Sequence, residues 1–290
     1  MRSNVGGSQQ KITVRKRRRA IFVTLLSLTA FSFTLTSLSL ASFLPEINID
    51  EVTVQGTQNE NPEAVSTFVD TLSANNFLSF FSGRNFLLYR TGNLEASILK
   101  AFPRIDSVNV SRVGLTSATV DIKERVANAL WCPDISVVHK SCLQSDENGY
   151  LFASLDLRKA TTSDFVLFAT TGQTKNIGDS IVATKIFKNF GYFLREMKTL
   201  SLDVVSFVVN NDSLTLTLKK GGKLIIDPNQ DLTKALKLID SLKNNKDLGF
   251  GTDSFMQKLD YFDLRYTGKA IYKMKGIGTK ATTSTTTKNF

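Results

Sequence analysis

Residues 15–43 read RKRRRAIFVTLLSLTAFSFTLTSLSLASF, a basic cluster followed by an apolar run without a charged side chain. The apolar part, residues 20–43, is 24 residues long. A helix of that length reaches roughly 36 Å at about 1.5 Å per residue, enough to cross a hydrocarbon core of about 30 Å with some tilt. It also satisfies its own backbone hydrogen bonds, as the bilayer interior requires. The stretch therefore predicts a transmembrane helix over 20–43, and its serines and threonines would also allow contact with a second membrane helix.

The charges that flank the apolar run predict its orientation. Seven Lys and Arg residues precede it, and no acidic residue appears before Glu46. Because excess cations mark the cytoplasmic flank of a span, we expect residues 1–19 to form a cytoplasmic basic tail and the chain after Leu44 to lie outside. A cleaved signal peptide is an alternative, although its apolar region is normally shorter, about 7–15 residues. A basic arm that binds nucleic acid is another, but such arms are not normally followed by a spanning helix.

The same cluster accounts for most of the net charge of +10. Seven of the 36 Lys and Arg precede the apolar run, which leaves 29 against 26 Asp and Glu in the rest of the chain. The basicity therefore indicates membrane topology and not a nucleic-acid partner. The outer part, about 245 residues, is long enough for one or two domains with hydrophobic cores. Residues 276–290 are polar without apolar periodicity, which is typical of a disordered tail.

Cys132 and Cys142 are the two cysteines, and both are expected outside. An even number at close spacing in an oxidising compartment favours a disulfide, and the intervening PDISVVHKS is suited to a short hairpin. Closing such a loop contributes about 2–3 kcal/mol in the chain-entropy model. Two alternatives stay open. One is a pair of free buried thiols, and the other is a metal site with His139, which would lack a fourth ligand.

Patterns in residues 47–125 predict a first outer domain with the order strand–helix–helix–strand–strand. Residues 49–55 are predicted to form a strand, Pro62 opens a helix, and a second helix near 93–101 ends before Pro103. SVNVSR at 107–112 and SATVDIKE at 117–124 alternate apolar and polar residues, as strands with one buried face do.

Residues 126–275 predict a β-rich domain with two helices packed on an antiparallel or mixed sheet. Short strands are expected near 130–131, 137–138, 150–152 and 165–170, followed by an amphipathic helix over 183–200. A three-strand meander with Gly221-Gly222 in its last turn precedes a second helix over 231–243. KLDYFDLRYTGKAIYKMK at 258–275 predicts two strands joined near Thr267-Gly268. The whole chain is therefore expected to be an α+β protein.

These segments resemble, in their order, those of a bacterial cell-division family, FtsQ, also called DivIB. Val54-x-Gly56, FPRI at 102–105 and VDIKER at 120–125 make the first outer domain look like that family's POTRA domain. ALW at 129–131 and DENGYLF at 146–152 resemble the start of its β domain, and YFDLRY at 261–266 resembles its Y-I/V-D-L-R-F/Y signature. The resemblance covers about residues 15–275. The Phe-rich loop at 76–84 and the cysteine pair depart from it.

The resemblance implies a function without enzymatic activity or cofactor. FtsQ-like proteins are single-pass scaffolds of the divisome, in the cell membrane at the division septum. They recruit and regulate septal peptidoglycan synthesis through FtsB and FtsL, two small coiled-coil proteins with one membrane span each. The POTRA domain contributes to septal localisation and to contacts with other divisome proteins. The end of the β domain receives an extended segment of FtsB.

An exposed edge strand offers a physical route to such binding, because its unpaired backbone groups can accept a further strand from a partner. The best candidate is KAIYKMK at 269–275, in which Ile271 and Tyr272 would supply apolar contact. Its three lysines are expected to favour the partner, or else to protect the edge from aggregation.

The signature next to this strand supplies further candidates. Arg265 suits a two-pronged bond to a partner's carboxylate, with an intramolecular pair to Asp263 or Asp260 as the alternative. Tyr266 is expected to be an interface anchor or a core residue. The expected partner-binding set is Asp263, Arg265, Tyr266, Gly268, Ile271 and Tyr272.

Enzyme classes find little support in the sequence, which has no Walker loop, zinc-protease motif or nucleophile elbow. His139 is expected to be a surface residue and not a general base. Two alternatives to the scaffold remain: a membrane-anchored extracytoplasmic enzyme with an unrecognised site, and a POTRA protein of outer-membrane assembly or secretion. The second would need repeated POTRA units and a series of barrel strands of about 10 residues each.

Overall fold

The computed structural model describes residues 6–133, 141–156, 165–266, 269–276 and 288–289. The chain divides into two units, Met1–Glu124 and Arg125–Phe290. This division falls one residue before the expected end of the first outer domain. Both units combine helices with a sheet, so the protein is of the mixed α+β class.

The first unit begins with a long helix, α1, over Gly6–Ala41. Lys16–Ala41 contains an 18-residue stretch with a mean hydropathy of 1.8 and is, among the described residues, the only helix long and apolar enough to cross a membrane. Its hydroxyls donate to carbonyl oxygens one turn back, as Thr24 Oγ1 does to Ile21 at 2.8 Å, so polar side chains are tolerated in the apolar run. The helix ends two residues before the expected limit at Phe43. Pro45 begins a 3-10 helix, and a residue before proline avoids helical geometry, so Leu44 is extended.

The remaining elements of the first unit follow the expected order. They are β1 (Glu51–Gln55), α2 (Pro62–Ser73), α3 (Thr91–Ala101), β2 (Ile105–Val113) and β3 (Ser117–Glu124). The strand order is β1-β3-β2, with β1 parallel and β2 antiparallel to β3. The Asn61 side chain accepts from the backbone N of Glu63 at 2.9 Å, which caps the helix that Pro62 opens. The helices and strands enclose a core of Val65, Val69, Ile98, Ile105 and Val120.

Gly56 and Glu124 stabilise the end of this sheet at which the parallel strands β1 and β3 terminate. Gly56 has a φ of +86°, and a Cβ there would lie 2.0 Å from the carbonyl oxygen of Ile122, so only glycine fits. Glu124 Oε1 accepts backbone N–H groups from Gln58, Asn59 and Glu60 at 2.6, 2.8 and 2.9 Å. Partial desolvation alone would raise the pKa of Glu124, but these hydrogen bonds to its charged form lower that pKa to about 2.

The second unit is built on a large mixed sheet. Its strands are β4 (Ala129–Trp131), β5 (Ser141–Ser145), β6 (Leu151–Asp156), β7 (Val166–Thr170), β8 (Val204–Val209), β9 (Leu214–Leu218), β10 (Lys223–Ile226), β11 (Leu259–Asp263), β12 (Lys269–Met274) and β13 (Lys288–Asn289). Their order is β13-β12-β11-β10-β9-β8-β7-β4-β5-β6. The pairs β4–β7, β7–β8 and β10–β11 are parallel, and the other described pairs are antiparallel. The meander β8–β9–β10 forms as expected.

Helices α4 (Thr184–Thr199) and α5 (Leu232–Asn244) match the two expected helices, and a short α6 (Asp253–Lys258) was not expected. The apolar faces of α4 and α5 pack against the sheet and form one hydrophobic core with it. Its fully buried aromatic residues are Phe168, Phe193, Phe207 and Phe262. The rings of Phe168 and Phe207 stack with centroids 5.3 Å apart, which ties neighbouring strands β7 and β8.

Cys132 and Cys142 form a disulfide with their Cα atoms 4.7 Å apart. They lie at the end of the antiparallel pair β4–β5 where the chain passes from one strand to the other, and they are buried beside Leu130. Bonded sulfurs are not available as thiolate ligands, so the metal reading of this pair is wrong. His139 and the strand expected at 137–138 lie outside the described residues.

A candidate partner-binding edge

The hairpin of β11 and β12 lies toward one end of the second unit's sheet. β11 is anchored by its parallel pairing with β10, which continues as the backbone N of Leu264 donates to Ile225 at 2.8 Å. β12 runs antiparallel to β11, and the backbone N of Lys275 donates to Lys258 at 2.7 Å at the base of the hairpin. The expected connection at Thr267-Gly268 falls outside the described residues, and so does the candidate Gly268.

The outer side of β12 is only partly covered. β13 pairs with its first two residues, in the register Lys269↔Asn289 and Ala270↔Lys288. Within the described parts of the chain, no strand pairs with the outer side of residues 271–274. The edge is therefore open where the candidate Ile271 and Tyr272 lie. The covering strand comes from the segment expected to be a disordered tail. Two polar residues carry no periodic signal by which the sequence could have revealed it.

Ile271 and Tyr272 lie on opposite faces of β12, because successive side chains of a strand alternate. Ala270, Tyr272 and Met274 face the core of their own unit. The ring of Tyr272 lies 5.2 Å from that of Phe262 and 6.1 Å from that of Phe255. Of the two residues expected to supply apolar contact to a partner, Tyr272 therefore packs in the core of its own unit. Ile271, half-buried and paired with Asp263, lies on the other face.

Asp263 and Arg265 bind each other. Arg265 Nε and Nη2 donate to the two carboxylate oxygens of Asp263 at 3.0 and 2.7 Å, and the backbone N of Arg265 donates to Oδ1 at 3.1 Å. Asp263 is buried, with 7% of its surface exposed. These hydrogen bonds raise the pKa of Arg265 above its ordinary value. Of the two readings of Arg265, the structure contains the intramolecular pair with Asp263, and the contact with a partner's carboxylate stays a prediction.

Tyr266 and the lysines make up the exposed polar part of the site. Tyr266 is 49% exposed, so the reading as a core residue is wrong and the reading as an interface residue is compatible with its position. Lys273 Nζ lies 3.4 Å from a carboxylate oxygen of Asp260, and Lys275 Nζ donates to the carbonyl of Gln257 at 3.2 Å. Both lysines can act in edge protection and in partner attraction, because exposed contacts of this kind exchange readily with solvent.

The described residues show no group of three or more His, Cys, Asp or Glu placed to hold a metal ion. A groove of about 610 Å³ lies between β7, β8 and α4, where Phe168, Phe187 and Lys198 contribute to its walls. Compared with known proteins, the sequence matches no protein-family model and no curated protein.

Proposed function

We propose that this chain is a divisome scaffold of the FtsQ/DivIB type. In this proposal α1 is a single transmembrane anchor with its N-terminus in the cytoplasm, and both folded units lie outside the cell membrane. The first unit is a POTRA domain, and the second binds an FtsB- or FtsL-type partner. Binding recruits and regulates septal peptidoglycan synthesis without catalysis by this chain.

The order of elements supports the membrane-anchored and POTRA parts of the proposal. The apolar helix carries a basic cluster on its N-terminal side, the flank that the positive-inside rule assigns to the cytoplasm. The elements β1, α2, α3, β2 and β3 follow it, with β1 beside β3 and two helices packed on the sheet. The order of these elements is the one that the resemblance implies for a POTRA domain.

The open edge at residues 271–274 is the observation that carries the binding proposal. An extended partner segment can add to it as a further strand, with main-chain hydrogen bonds that supply affinity. On the face away from the core, Ile271 offers an apolar contact to the added strand, and Lys273 favours an acidic neighbour. Tyr266 lies exposed three residues beyond the end of β11 and can contact one end of the added strand.

The binding test compares two substitutions with the same chemistry. Ile271→Lys places a second cation on the open edge, and we expect it to weaken binding of the FtsB-type protein from the same cell by about tenfold or more, a change of about 1.4 kcal/mol. Val205→Lys is the matched control, because Val205 is 38% exposed on β8, several strands away from the edge. Affinities are measured by biolayer interferometry on the full-length chain in detergent. Equal affinities for both variants and the wild type would remove this edge from the proposal.

The cellular test is the position of a fluorescent fusion in dividing cells. The proposal predicts a band at midcell that appears before constriction is complete. A uniform membrane signal through division would contradict a divisome role while leaving the membrane anchor in place.

A further inference from the structure

The loop between α2 and α3 is fastened to the end of the apolar helix α1. The Ser39 hydroxyl donates to the carbonyl oxygen of Phe80. From the loop, Ser42 accepts two hydrogen bonds: the backbone N of Ser82 donates to its hydroxyl at 3.1 Å, and Asn85 Nδ2 donates to its carbonyl at 3.2 Å. Ser42, Ser82 and Asn85 are all buried. Hydrogen bonds between buried groups therefore attach the loop to the end of α1.

Asn48 completes this polar cluster. Its Nδ2 donates to the carbonyl oxygens of Ser42 and Leu44 at 3.1 and 2.6 Å, and its Oδ1 accepts from the Ser82 hydroxyl at 2.6 Å. Buried polar groups that satisfy one another in this way hold a single arrangement, because any shift leaves some of them unpaired. The position of the loop relative to α1 is thus fixed.

That position sets the depth of the loop tip relative to a bilayer. Ser39 lies two residues before the end of α1 and inside the apolar run. At about 1.5 Å per residue, the contact with Phe80 lies roughly 3 Å from the helix terminus along its axis. When α1 spans the membrane, the tip of the loop lies level with the last turn of the span. At that level the surroundings are the boundary between acyl chains and headgroups.

The tip presents apolar side chains at this depth. Leu78 and Phe80 are 66% and 69% exposed, and Phe43 and Leu44 at the helix end are half exposed. Leu78 and Ser79 have φ values of +51° and +64°, a left-handed conformation that residues other than glycine rarely adopt. The surrounding structure thus holds the backbone in an unfavourable form that turns large apolar groups outward.

We propose that the loop tip, residues 77–81, inserts Leu78 and Phe80 into the outer leaflet beside α1. The surface it binds is the lipid bilayer at the acyl–headgroup boundary, where aromatic side chains are favoured. The first unit is then held at the membrane by two adjacent points, the helix and the loop, and so has a fixed orientation on the bilayer. This inference rests on the proposed function only in requiring that α1 spans the membrane.

Lipid quenching of tryptophan fluorescence tests the insertion. The full-length chain is reconstituted into vesicles of phosphatidylcholine brominated at shallow or deep acyl positions, and the wild-type signal of Trp131 is subtracted. We expect Phe80→Trp to be quenched several-fold more by shallow bromine than Leu99→Trp. Leu99 is the control because it is 37% exposed near the end of α3. The chain continues from there to Ile105, which pairs with Glu124 at the end of the sheet. Leu78→Trp is a second reporter that should behave as Phe80→Trp does.

A third variant separates failure of this proposal from failure of the anchor. Phe31→Trp places the reporter in the middle of the apolar run, where deep bromine should quench it. Quenching of Phe31→Trp without quenching of either loop reporter would overturn loop insertion and leave the anchor intact. No quenching of Phe31→Trp would overturn both. Loop reporters shielded from aqueous iodide yet unquenched by bromine would overturn lipid insertion and indicate a protein contact.

Discussion

The pair of Asp263 and Arg265 shows what a short signature can and cannot predict at the scale of single residues. Two residues apart near the end of a strand, they share a face, so the sequence allows the bond that the structure contains. The same spacing allows a free fork aimed at a partner. Burial of Asp263 decides between them, because a carboxylate removed from water requires compensation and the nearest cation supplies it.

Arg265→Ala should therefore act first on stability. Removing the guanidinium leaves the buried Asp263 carboxylate with the backbone N of residue 265 as its remaining donor in this pair, which costs about 1–3 kcal/mol. Arg265→Ala in an Asp263→Asn background should cost much less, since the charge to be compensated is gone. Chemical unfolding of the detergent-solubilised chain measures both. Equal losses in the two backgrounds would show that the pair is not coupled.

Glu124 is expected to make the stability of the first unit depend on pH. Its pKa is about 2 in the folded state against an ordinary 4.5, so its ionised form stabilises the fold. A depressed pKa gives stability that is present above about pH 4.5 and is lost as the pH falls toward 2. No sequence pattern marks this residue as special, because its partners lie more than 60 positions earlier in the chain.

Glu124→Gln should lower stability at pH 7 by about 1–2 kcal/mol, after allowance for solvent screening of a partly exposed carboxylate. At pH 2.5 the difference from wild type should shrink, because this pH lies far below the ordinary pKa of 4.5 that applies in the unfolded chain and close to the folded-state pKa of about 2. Most of the stability that ionisation contributes is then lost. Glu51→Gln is the control, since the exposed Glu51 makes only a 3.5 Å contact with the Ser117 hydroxyl among the described residues. Thermal unfolding at both pH values, followed by circular dichroism, gives the comparison. A difference of the same size at both pH values would contradict the assignment.

At the scale of elements, the sequence predicts what depends on local periodicity. The amphipathic helices expected at 183–200 and 231–243 appear as α4 and α5, and the alternating segments before Arg125 appear as β2 and β3. The six-residue α6 is too short to show a helical period. The parallel pairings of β4 with β7 and of β10 with β11 join distant segments, and alternation within a strand says nothing about its neighbours.

The strand β13 should compete with any partner of the edge. Its pairing with Lys269 and Ala270 occupies backbone groups that a longer added strand would use. Removal of residues 277–290 should therefore tighten partner binding by a few-fold. Lys288→Pro with Asn289→Pro in the full-length chain should have the same effect, since proline lacks the N–H of a paired strand. Affinity measurements on the three chains test this, and a weaker complex after truncation would mean that the tail assists binding.

At the scale of the whole molecule, the anchor and the candidate edge belong to different units. Each unit has its own hydrophobic core, and the window of α1 that could span a membrane contributes no buried residue to either one. The stability of the second unit and of its edge is therefore expected to be independent of α1. We expect α1 to determine the location of the edge in the cell and not its affinity for a partner.

Replacing residues 1–36 by a cleaved signal sequence tests this division of labour. The change keeps Ser39 and Ser42, so the polar cluster that fixes the loop of the first unit stays intact. The released chain should fold and bind the FtsB-type protein with an affinity within about twofold of the full-length chain, because the edge lies in the second unit. In dividing cells that also lack the full-length protein, it should fail to form the midcell band and fail to support division. Affinity measured in solution and microscopy of the same variant give the two readouts. Loss of binding on release would show that the anchor shapes the edge, and normal division by the released chain would show that the tether is dispensable.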